Sequence, residues 1–554
     1  MIANFFSNIH IRYKIKKYFN LYFNSKNNEV KNDIILVEFN KWSSVVVAIA
    51  YVIKILREKI DAKVYAYPEN EFTSLIYSRN FFNNLLWHTG KLFRMKSFGI
   101  YFAFGTNKFI NINTSTIDPQ LLLKSKKQFS KILKSKIDNF KILNLHLENV
   151  HIGDLVYDSY LKIHRKATID VNDKHFLIFL EKSILYFYYW YNFFKKKRVK
   201  AVVVSQSVYN SSIPIRIGMK FNCKCIVGGP FWVFSLSKKM KFYHNHYLYY
   251  KKYFSKLTYK EKINGLHIVK KKLKKYFKGE VSLPHKATYL VKSTYNNNKN
   301  NKLIFKEKND NKIKVLICSH AFSDAPHSRG FHFYSDYYKW LMAVLEISND
   351  TNYDWYLKLH PQNSDFIDNT HSIIKNLVST KYKKIKLIDS QVSHHDIIRL
   401  GINFVLTCNG SVSAEYPYFN IASINASLSN PHLNFSFSIS PKNKKYYEHT
   451  LNNLDKFKSK VKIKKNEILV YYLMNDFYYS PSWLMDDWSK VINYFTNRND
   501  IYKEAFYNYW LRNFSEINHN KITQTLRNFI KSGDYIINFK HSNISFLEHI
   551  KKFN

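Results

Sequence analysis

The chain has 554 residues, and 86 Lys and Arg against 40 Asp and Glu give it a formal net charge of +46. This length suggests three or four domains, although two large α/β domains fit it equally well. Four scattered cysteines are too few for a disulfide framework, which excludes a small disulfide-stapled secreted fold. The charge predicts attraction to polyanions or to an anionic membrane face.

A basic segment at residues 1–30 precedes the first predicted strand. Its apolar residues are interrupted by Arg12, Lys14, Lys16 and Lys17, so the segment lacks the continuous apolar core of a signal peptide. No window of the chain supplies about 18 uninterrupted apolar residues, and a membrane-spanning helix is therefore not expected. We expect a cytoplasmic protein that binds membranes at most peripherally.

The first half alternates strands and helices, as parallel α/β folds do. Each predicted strand is a short apolar run, and the helices follow capping or turn signals. Two βαβ units are predicted, with a strand at 33–40, a helix from Ser43 or Ser44 to about Lys59, a strand at 62–68, a strand at 201–207, a helix near 213–220 and a strand at 223–229. The pattern predicts a Rossmann-like domain over residues 31–291.

One aromatic segment in this half has two interpretations. Residues 176–194 are rich in Phe and Tyr and are followed by a basic run at 195–198. An aromatic helix with a basic end is suited to an anionic membrane surface. The same pattern is equally typical of a core helix whose charged end is solvated.

The second half restarts the alternation after an Asn- and Lys-rich linker at residues 292–312. Three apolar strands are predicted at 314–320, 354–360 and 402–407. They define a second Rossmann-like domain over residues 313–465. The remaining residues, 466–554, are helical and aromatic, and we expect them to pack back on the cleft of a two-domain protein.

Short polar motifs stand where the strands of the second half end. These motifs are His320 after the first strand, His360-Pro361 after the second, and Asn409-Gly410 after the third. Parallel strands place their carboxyl ends on one edge of the sheet, which is the edge where α/β proteins bind ligands. We therefore interpret this edge as a nucleotide-phosphate site.

The loop at 409–415 has the composition of a phosphate loop. Gly410 permits a tight turn, while Ser411 and Ser413 offer hydroxyl and backbone N–H groups at a helix N-terminus, where phosphate is favoured. Glu415, one turn later, is placed to accept hydrogen bonds from ribose hydroxyls. The alternative interpretation is a Ser-capped helix with a Glu that stabilises its dipole.

His360 stands at the end of a strand and is followed by a proline that forbids further strand pairing. This arrangement leaves the imidazole in the cleft, where it can donate to a phosphate oxygen and stabilise a departing nucleotide. A single histidine at a strand end is usually structural. The Ser-rich loop about fifty residues later strengthens the functional interpretation.

Three motifs together resemble the C-terminal half of capsule and surface-polysaccharide glycosyltransferases of GT-B architecture. They are L-K-L-H-P at 357–361, N-G-S-V-S-A-E at 409–415 and I-N-A-S-L-S-N-P-H at 424–432. The His-Pro and Ser-rich pair is similar to that of bacterial sialyl- and Kdo-transferases, which use CMP-activated sugars. The resemblance covers about 314–435 well, and it implies an α/β fold of two Rossmann-like domains with a cleft between them and a helical C-terminal tail.

By that resemblance, His360 and either Ser411 or Ser413 hold the donor phosphate, and Glu415 binds the ribose. Pro361, Asn409 and Gly410 complete this part of the donor site. In the loop that follows His320 at the same edge, Arg329 is placed to pair with a phosphate or a sugar carboxylate through two N–H groups. These groups and the helix N-terminus neutralise a leaving nucleotide, so neither a metal ion nor another cofactor is expected.

The acceptor hydroxyl needs a base, which the resemblance assigns to the opposite domain. Asp154 and Asp158, in the G-D-L-V-Y-D motif at 153–158, are the first candidates. Glu38, at the end of the first predicted strand, is the third. Each of these carboxylates has the alternative interpretation of a surface charge.

The leading hypothesis is a metal-independent, inverting glycosyltransferase on the inner face of the cytoplasmic membrane. Its partners would be a nucleotide-sugar donor, with a CMP-sugar favoured, an oligosaccharide or lipid-linked glycan acceptor of a capsule or lipopolysaccharide, and the anionic membrane surface. The alternatives are a cytidine-nucleotide-dependent polyol-phosphate transferase and a basic nucleic-acid-binding protein. The basic residues are spread along the whole chain without a recognition-module signature, which argues against nucleic acid.

Overall fold

The computed structural model describes residues 2–23, 32–68, 88–110, 112, 117–287, 293, 295, 311–361, 369–458, 462–486, 488–495 and 498–553. Most of the predicted linker at 292–312 lies outside the described residues, as does the end of the N-terminal basic segment. The chain divides into two compact units, of which the first comprises Met1–Tyr157, Val171–Tyr243 and Pro481–Ile544, and the second comprises Asp158–Asp170, His244–Ser480 and Ser545–Asn554.

The strands of the first unit are β1 (Asp33–Phe39), β2 (Lys63–Pro68), β3 (Thr106–Phe109), β4 (His146–Leu147), β5 (Val150–His151), β6 (Arg198–Val204), β7 (Lys224–Gly228) and β8 (Val233–Leu236). Six of them form one sheet in the order β3-β2-β1-β6-β7-β8, while β4 and β5 pair as a small hairpin. All pairs in the sheet are parallel except β7 with β8. This is the 3-2-1-4-5-6 order of doubly wound nucleotide-binding folds.

The helices of the first unit are Ile2–Phe23, Ser43–Lys59, Lys96–Ala103, Pro119–Lys134, Asn139–Leu143, Lys174–Lys196, Ile213–Lys220, Trp488–Tyr494, Glu504–Asn513 and Glu516–Ser532. Short 3-10 turns lie at Asn210–Ser212, Arg498–Tyr502 and Phe539–Ser542. The helix after β1 packs against two helices from the far end of the chain, which belong to the predicted C-terminal helical region. That region therefore completes the layer over the first sheet.

Burial explains why these segments fold as they do. Every residue of β1 is buried, as expected for a strand with helices on both faces of a parallel sheet. The helix Lys174–Lys196 buries Phe179, Trp190 and ten further side chains, so the core interpretation of the aromatic segment is confirmed. Within the described parts of the chain, no helix has the length of apolar residues that a bilayer crossing requires.

The strands of the second unit are β9 (Lys314–Cys318), β10 (Asp354–Lys358), β11 (Lys386–Ile388), β12 (Phe404–Thr407), β13 (Ala422–Asn425) and β14 (Ser438–Ile439). They form one sheet in the order β11-β10-β9-β12-β13-β14, and every pair is parallel. Successive side chains of β9 enter opposite apolar layers, with Val315 and Ile317 in one and Leu316 in the other. The sheet is therefore covered on both faces, and its strand order repeats that of the first sheet.

The helices of the second unit are Tyr250–Ser255, Tyr259–Phe277, Pro284–Ala287, Tyr337–Asp350, Thr370–Thr380, His394–Arg399, Val412–Glu415, Lys444–Asn452, Leu454–Lys458, Lys465–Tyr472 and Phe546–Lys551. A π-helical turn lies at Leu473–Tyr478, and 3-10 turns lie at Asn245–Tyr249 and Tyr416–Phe419. The helix Gly153–His164 contains the point where the chain passes from the first unit to the second. The predicted α/β class, with two Rossmann-like domains and a helical C-terminal region, is confirmed.

Candidate functional site

The candidate site lies at the carboxyl edge of the second sheet. The chain-order reversal falls between β9 and β12, which are neighbours in the sheet although two other strands separate them in sequence. Doubly wound sheets bind ligands beyond the carboxyl ends of their strands at this switch point. His320 follows β9 and Asn409 follows β12, so two predicted site residues flank the reversal.

His320 is tied to the loop that follows β12. The Cys408 backbone N–H donates to His320 Nε2 at 3.2 Å, and the Thr407 hydroxyl lies 2.9 Å from the same nitrogen. Burial, with the nearby His360 second, lowers the pKa of His320 well below its usual value, so the ring is neutral. Since Nε2 accepts the Cys408 N–H, this assigns the single ring proton to Nδ1.

Gly410 allows this loop to close tightly. Its N–H donates to Thr407 Oγ1 at 3.0 Å, and a Cβ at position 410 would lie only 2.7 Å from that oxygen. A side chain fits there only if the Thr407 hydroxyl or the backbone shifts. The close approach of Thr407 therefore explains why glycine suits the tight turn expected at position 410.

The backbone of His360 is held on both sides. Its N–H donates to the Ser319 hydroxyl at 2.9 Å, and its carbonyl oxygen accepts a hydrogen bond from His371 Nε2 at 2.8 Å. Ser319 in turn donates to the Lys358 carbonyl oxygen at 3.0 Å. These bonds do not use the His360 imidazole, while Pro361 after it is exposed.

The structure separates the two serines of the predicted phosphate loop. Ser411 is exposed, and its hydroxyl accepts a hydrogen bond from Lys286 Nζ at 2.8 Å. Ser413 is fully buried and donates to Asn425 Oδ1 at the end of β13. The helix that follows, Val412–Glu415, is only four residues long, and Ser411 makes no side-chain cap on it. Of the two serines, Ser411 is the one that a ligand can reach.

Glu415 is inside the fold, with 2% of its surface exposed. Lys286 Nζ lies 3.3 Å from Oε1, and the Tyr295 hydroxyl donates to Oε2 at 3.3 Å. Burial raises the pKa of Glu415, but Lys286, His394 and Ser411 together outweigh it and the net shift is downward, so the carboxylate is ionised. Its ribose-binding role stays a prediction. Sequence reasoning missed Lys286, whose position carries no spacing signal relative to a loop 125 residues away.

Arg329 introduces a strong positive charge among buried histidines. Burial, with Arg329 as the next cause, lowers the pKa of His246 and of His432 to about 3. No carboxylate in the described part of the chain forms an ion pair with Arg329. Both ring nitrogens of the buried His432, and Asn425 Nδ2, have no hydrogen-bond partner among the described residues. A cation without a carboxylate partner and buried polar atoms without hydrogen bonds favour an anionic ligand with hydrogen-bonding groups.

The loop that carries Arg329 is fixed by Asp158. The His327 N–H donates to Asp158 Oδ2 at 3.1 Å, and His327 Nδ1 lies 2.6 Å from Oδ1. His327 Nε2 lies 2.8 Å from the Ser335 carbonyl oxygen, so both ring nitrogens face oxygen atoms. The buried Asp158 thus holds His327, two residues before Arg329, in place.

Asp154 belongs to the first unit, although it lies one helical turn from Asp158. The Arg216 guanidinium donates to Asp154 Oδ2 at 2.7 Å, and His151 Nδ1 lies 3.3 Å from Oδ1. Burial raises the pKa of Asp154, and Arg216 and His151 reverse the shift to a net lowering. Asp154 is therefore the ionised partner in a buried ion pair.

Asp154→Asn should lower the free energy of unfolding by about 3 to 5 kcal/mol, because it leaves Arg216 buried without its charge partner. Urea denaturation measures this loss, and Asp61→Asn, at an exposed position of the same unit, should change stability by less than about 0.5 kcal/mol. The double variant Asp154→Asn/Arg216→Met should recover part of the loss. Unchanged stability would refute the structural role.

Glu38 occupies the corresponding edge of the first sheet. It lies near the end of β1, is fully buried, and accepts the Ser205 N–H at 2.5 Å beside the end of β6. Burial raises the pKa of Glu38 to about 7, against hydrogen bonds from Ser205 and Ser211 that lower it. A carboxyl with this pKa can exchange a proton near neutral pH. In the described ranges, no three His, Cys, Asp or Glu side chains gather in a way that could hold a metal ion.

No protein family model and no curated protein sequence matches this chain. Among solved structures it is similar to a UDP-GlcNAc 2-epimerase from Neisseria meningitidis, at 10% identity over 80% of this chain and 97% of that one, with a TM-score of 0.24. A glycosyltransferase from Rickettsia africae is 13% identical over 85% and 98%, with a TM-score of 0.25. MurG from Acinetobacter baumannii is 8% identical over 84% and 99%, with a TM-score of 0.24. With scores this low, the fold assignment rests on the sheet topology.

Proposed function

We propose that this chain is a glycosyltransferase of GT-B architecture, which takes a sugar from a nucleotide-activated donor and adds it to a surface glycan. The donor nucleotide would bind at the carboxyl edge of the second sheet. The observation that carries the proposal is Arg329, a cation that has no carboxylate partner among the described residues. It lies in the loop after β9, at the same edge of the sheet as His320, His360 and Ser411. A CMP-sugar is the favoured donor.

Donor binding would use the planar guanidinium of Arg329, whose paired N–H groups match two oxygens of a phosphate or carboxylate. Lys286 holds Ser411 at the surface of the loop and keeps a positive charge beside it. Asn425 and His432 supply further hydrogen-bonding atoms that have no partner among the described residues. Arg329 and Lys286, together with these neutral hydrogen-bonding groups, can offset the negative charge of a nucleotide phosphate.

Transfer breaks the bond between the anomeric carbon and the phosphate oxygen and forms a bond from that carbon to the acceptor hydroxyl oxygen. The departing phosphate gains negative charge, which His360 and Arg329 would stabilise. The acceptor hydroxyl loses its proton to a carboxylate. Attack from the face opposite the departing nucleotide inverts the anomeric carbon. The acceptor would be an oligosaccharide or lipid-linked glycan of a capsule or lipopolysaccharide at an anionic membrane face.

Asp154, Asp158 and Glu38 are the proposed bases, and they differ in what else they hold. Asp154 pairs with Arg216, and Asp158 binds His327, so their loss is expected to affect folding as well. Glu38 has the pKa best matched to proton abstraction near neutral pH. The base is the residue whose amide variant loses turnover at unchanged nucleotide binding, assayed well below the melting temperature of that variant.

A screen of CMP, CDP, UDP and GDP and their sugars should find one nucleotide that stabilises the protein. At a concentration one hundred times its Kd, a ligand that binds only the folded state adds about 2.7 kcal/mol to the free energy of unfolding, which calorimetry detects as a higher Tm. Arg329→Gln should abolish this stabilisation. Arg399→Gln is the matched control, because Arg399 is exposed and pairs with Asp396.

Absence of stabilisation by every nucleotide at millimolar concentration contradicts the donor-site proposal. Equal stabilisation of wild type and Arg329→Gln removes Arg329 from the site. Analysis of the products separates the two transferase hypotheses, since a sugar transferase releases the whole nucleotide, whereas a polyol-phosphate transferase leaves one phosphate on its acceptor.

A further inference from the structure

An exposed surface on the first unit combines apolar and basic side chains. It is formed by the outward face of the helix Ile2–Phe23 and by the turn at 91–95, and we call it the apolar-basic surface. Its large apolar side chains and their exposed fractions are Ile9 44%, Tyr13 65%, Leu21 70%, Leu92 75%, Phe93 70% and Met95 50%. Lys16 Nζ donates to the Arg94 carbonyl oxygen at 3.2 Å, so the helix and the turn are adjacent. Clustered exposure of this kind marks an interaction site.

The turn is an ordered structure that holds its side chains outward. The Met95 N–H donates to the Gly90 carbonyl oxygen at 2.8 Å, and the Arg94 N–H donates to that of Lys91 at 3.2 Å. Arg94 has a left-handed φ of 49°. Together these features form a Schellman motif, which ends a helix with satisfied carbonyl groups. Leu92 and Phe93 are therefore exposed on a fixed backbone.

The charge of the surface is predominantly positive. Residues 2–23 and 88–103 contain no Asp or Glu and carry seven basic residues, which are Arg12, Lys14, Lys16, Lys17, Lys91, Arg94 and Lys96. Glu504, on a helix packed against Ile2–Phe23, offsets one of them by pairing with Arg12. Lys14 and Lys17 are exposed beside Tyr13. A second copy of the chain would bring like charges together on this surface, which disfavours self-association.

We infer that the apolar-basic surface docks on an anionic lipid bilayer. Leu92, Phe93 and Met95 would enter the headgroup region, while the Lys and Arg side chains contact lipid phosphates. This combination gives both the apolar burial and the charge attraction that a stable peripheral contact needs. The inference extends the membrane part of the proposed function, and its test requires neither donor nor acceptor.

Sedimentation of the full chain with vesicles tests the inference. We expect binding to vesicles of phosphatidylcholine mixed with phosphatidylglycerol, and much weaker binding to phosphatidylcholine alone. Leu92→Ser/Phe93→Ser should weaken binding to the anionic vesicles by about tenfold or more. The matched control is Leu123→Ser/Ile517→Ser, at side chains of the same unit that are 70% and 78% exposed, and it should bind as wild type does.

A second pair of variants tests the charge of the surface. Lys14→Gln/Lys17→Gln should weaken binding and reduce its sensitivity to salt, because fewer cations contact lipid phosphate. Equal loss in the Leu123/Ile517 control would overturn the inference, as would equal wild-type binding to neutral vesicles. So would gel filtration that shows a wild-type dimer which Leu92→Ser/Phe93→Ser converts to a monomer, because the surface would then join two copies.

Discussion

His360→Ala should lower the rate of sugar transfer by about a hundredfold or more and leave the melting temperature unchanged. The imidazole is proposed to stabilise charge on the departing phosphate, and removal of one such donor typically costs this much. The fold should survive, because Ser319 and His371 bind the backbone of residue 360 and not its ring. Release of nucleotide from the donor identified by the stabilisation screen measures the rate.

His449→Ala is the control for this variant, since His449 is an exposed histidine of the same unit away from the strand ends. Near-normal transfer by His360→Ala removes the phosphate role. A lowered melting temperature in that variant would instead assign the ring to packing, and the loss of rate would then say nothing about chemistry.

Mild acid should unfold the second unit. Burial is the largest cause that lowers the pKa of five of its histidines to about 3, and these are His246, His285, His332, His394 and His432. Unfolding restores their usual pKa near 6.5, so the unfolded state binds more protons between pH 3 and 6.5. Above pH 6.5 the rings are neutral in both states, and the stability of the folded state is complete. As the pH falls below 6.5, the unfolded state takes up protons that the folded state does not, and this stability is lost.

Two buried carboxyl groups act in the opposite direction. Burial raises the pKa of Glu38, in the first unit, to about 7 and that of Asp476, in the second, to about 6, so protonation of each stabilises the folded state as the pH falls. In the second unit the five histidines outnumber Asp476, and the net effect is a loss of stability as the pH falls below 6. Urea denaturation at several pH values, followed by the fluorescence of the buried Trp340 and Trp355, measures it.

His432→Leu should make the protein less sensitive to acid, because it removes one proton-binding group whose ring nitrogens have no hydrogen-bond partner among the described residues. His449→Leu, at an exposed position, should leave the dependence of stability on pH unchanged. A denaturation midpoint that does not change between pH 7 and pH 5 would show that these rings are charged in the folded state.

Local patterns were sufficient to predict the elements that surround the sites. The helix Ser43–Lys59 was predicted to within one or two residues, because an apolar run follows a Ser pair and ends in basic residues, although Trp42 and not a serine is its N-cap. The helix Ile213–Lys220 was also predicted with its bounds. The strands before His320 and His360 were predicted two residues too long, since β9 ends at Cys318 and β10 at Lys358.

The site itself depends on contacts that sequence spacing does not encode. Lys286 reaches Ser411 and Glu415 from a short helix far earlier in the chain. Arg329 was predicted from its loop, but the histidines whose pKa it lowers include His246, His285 and His432, from three other segments of the chain. Asp154 and Asp158 are one turn apart on one helix, yet their partners belong to different units. Their spacing in the sequence therefore does not indicate that each of them forms a buried contact with a basic side chain.

The first unit is assembled from three separate stretches of chain, the last of which is Pro481–Ile544. During synthesis its sheet emerges long before the helices Glu504–Asn513 and Glu516–Ser532 that cover Ser43–Lys59. At the usual rate of translation this interval lasts roughly 15 to 60 s. The nascent chain must therefore keep an apolar helix face uncovered for that time, and ribosome-associated chaperones should bind it there. A stop codon at residue 481, which leaves the strands of both sheets but removes these helices, should yield a fragment that aggregates.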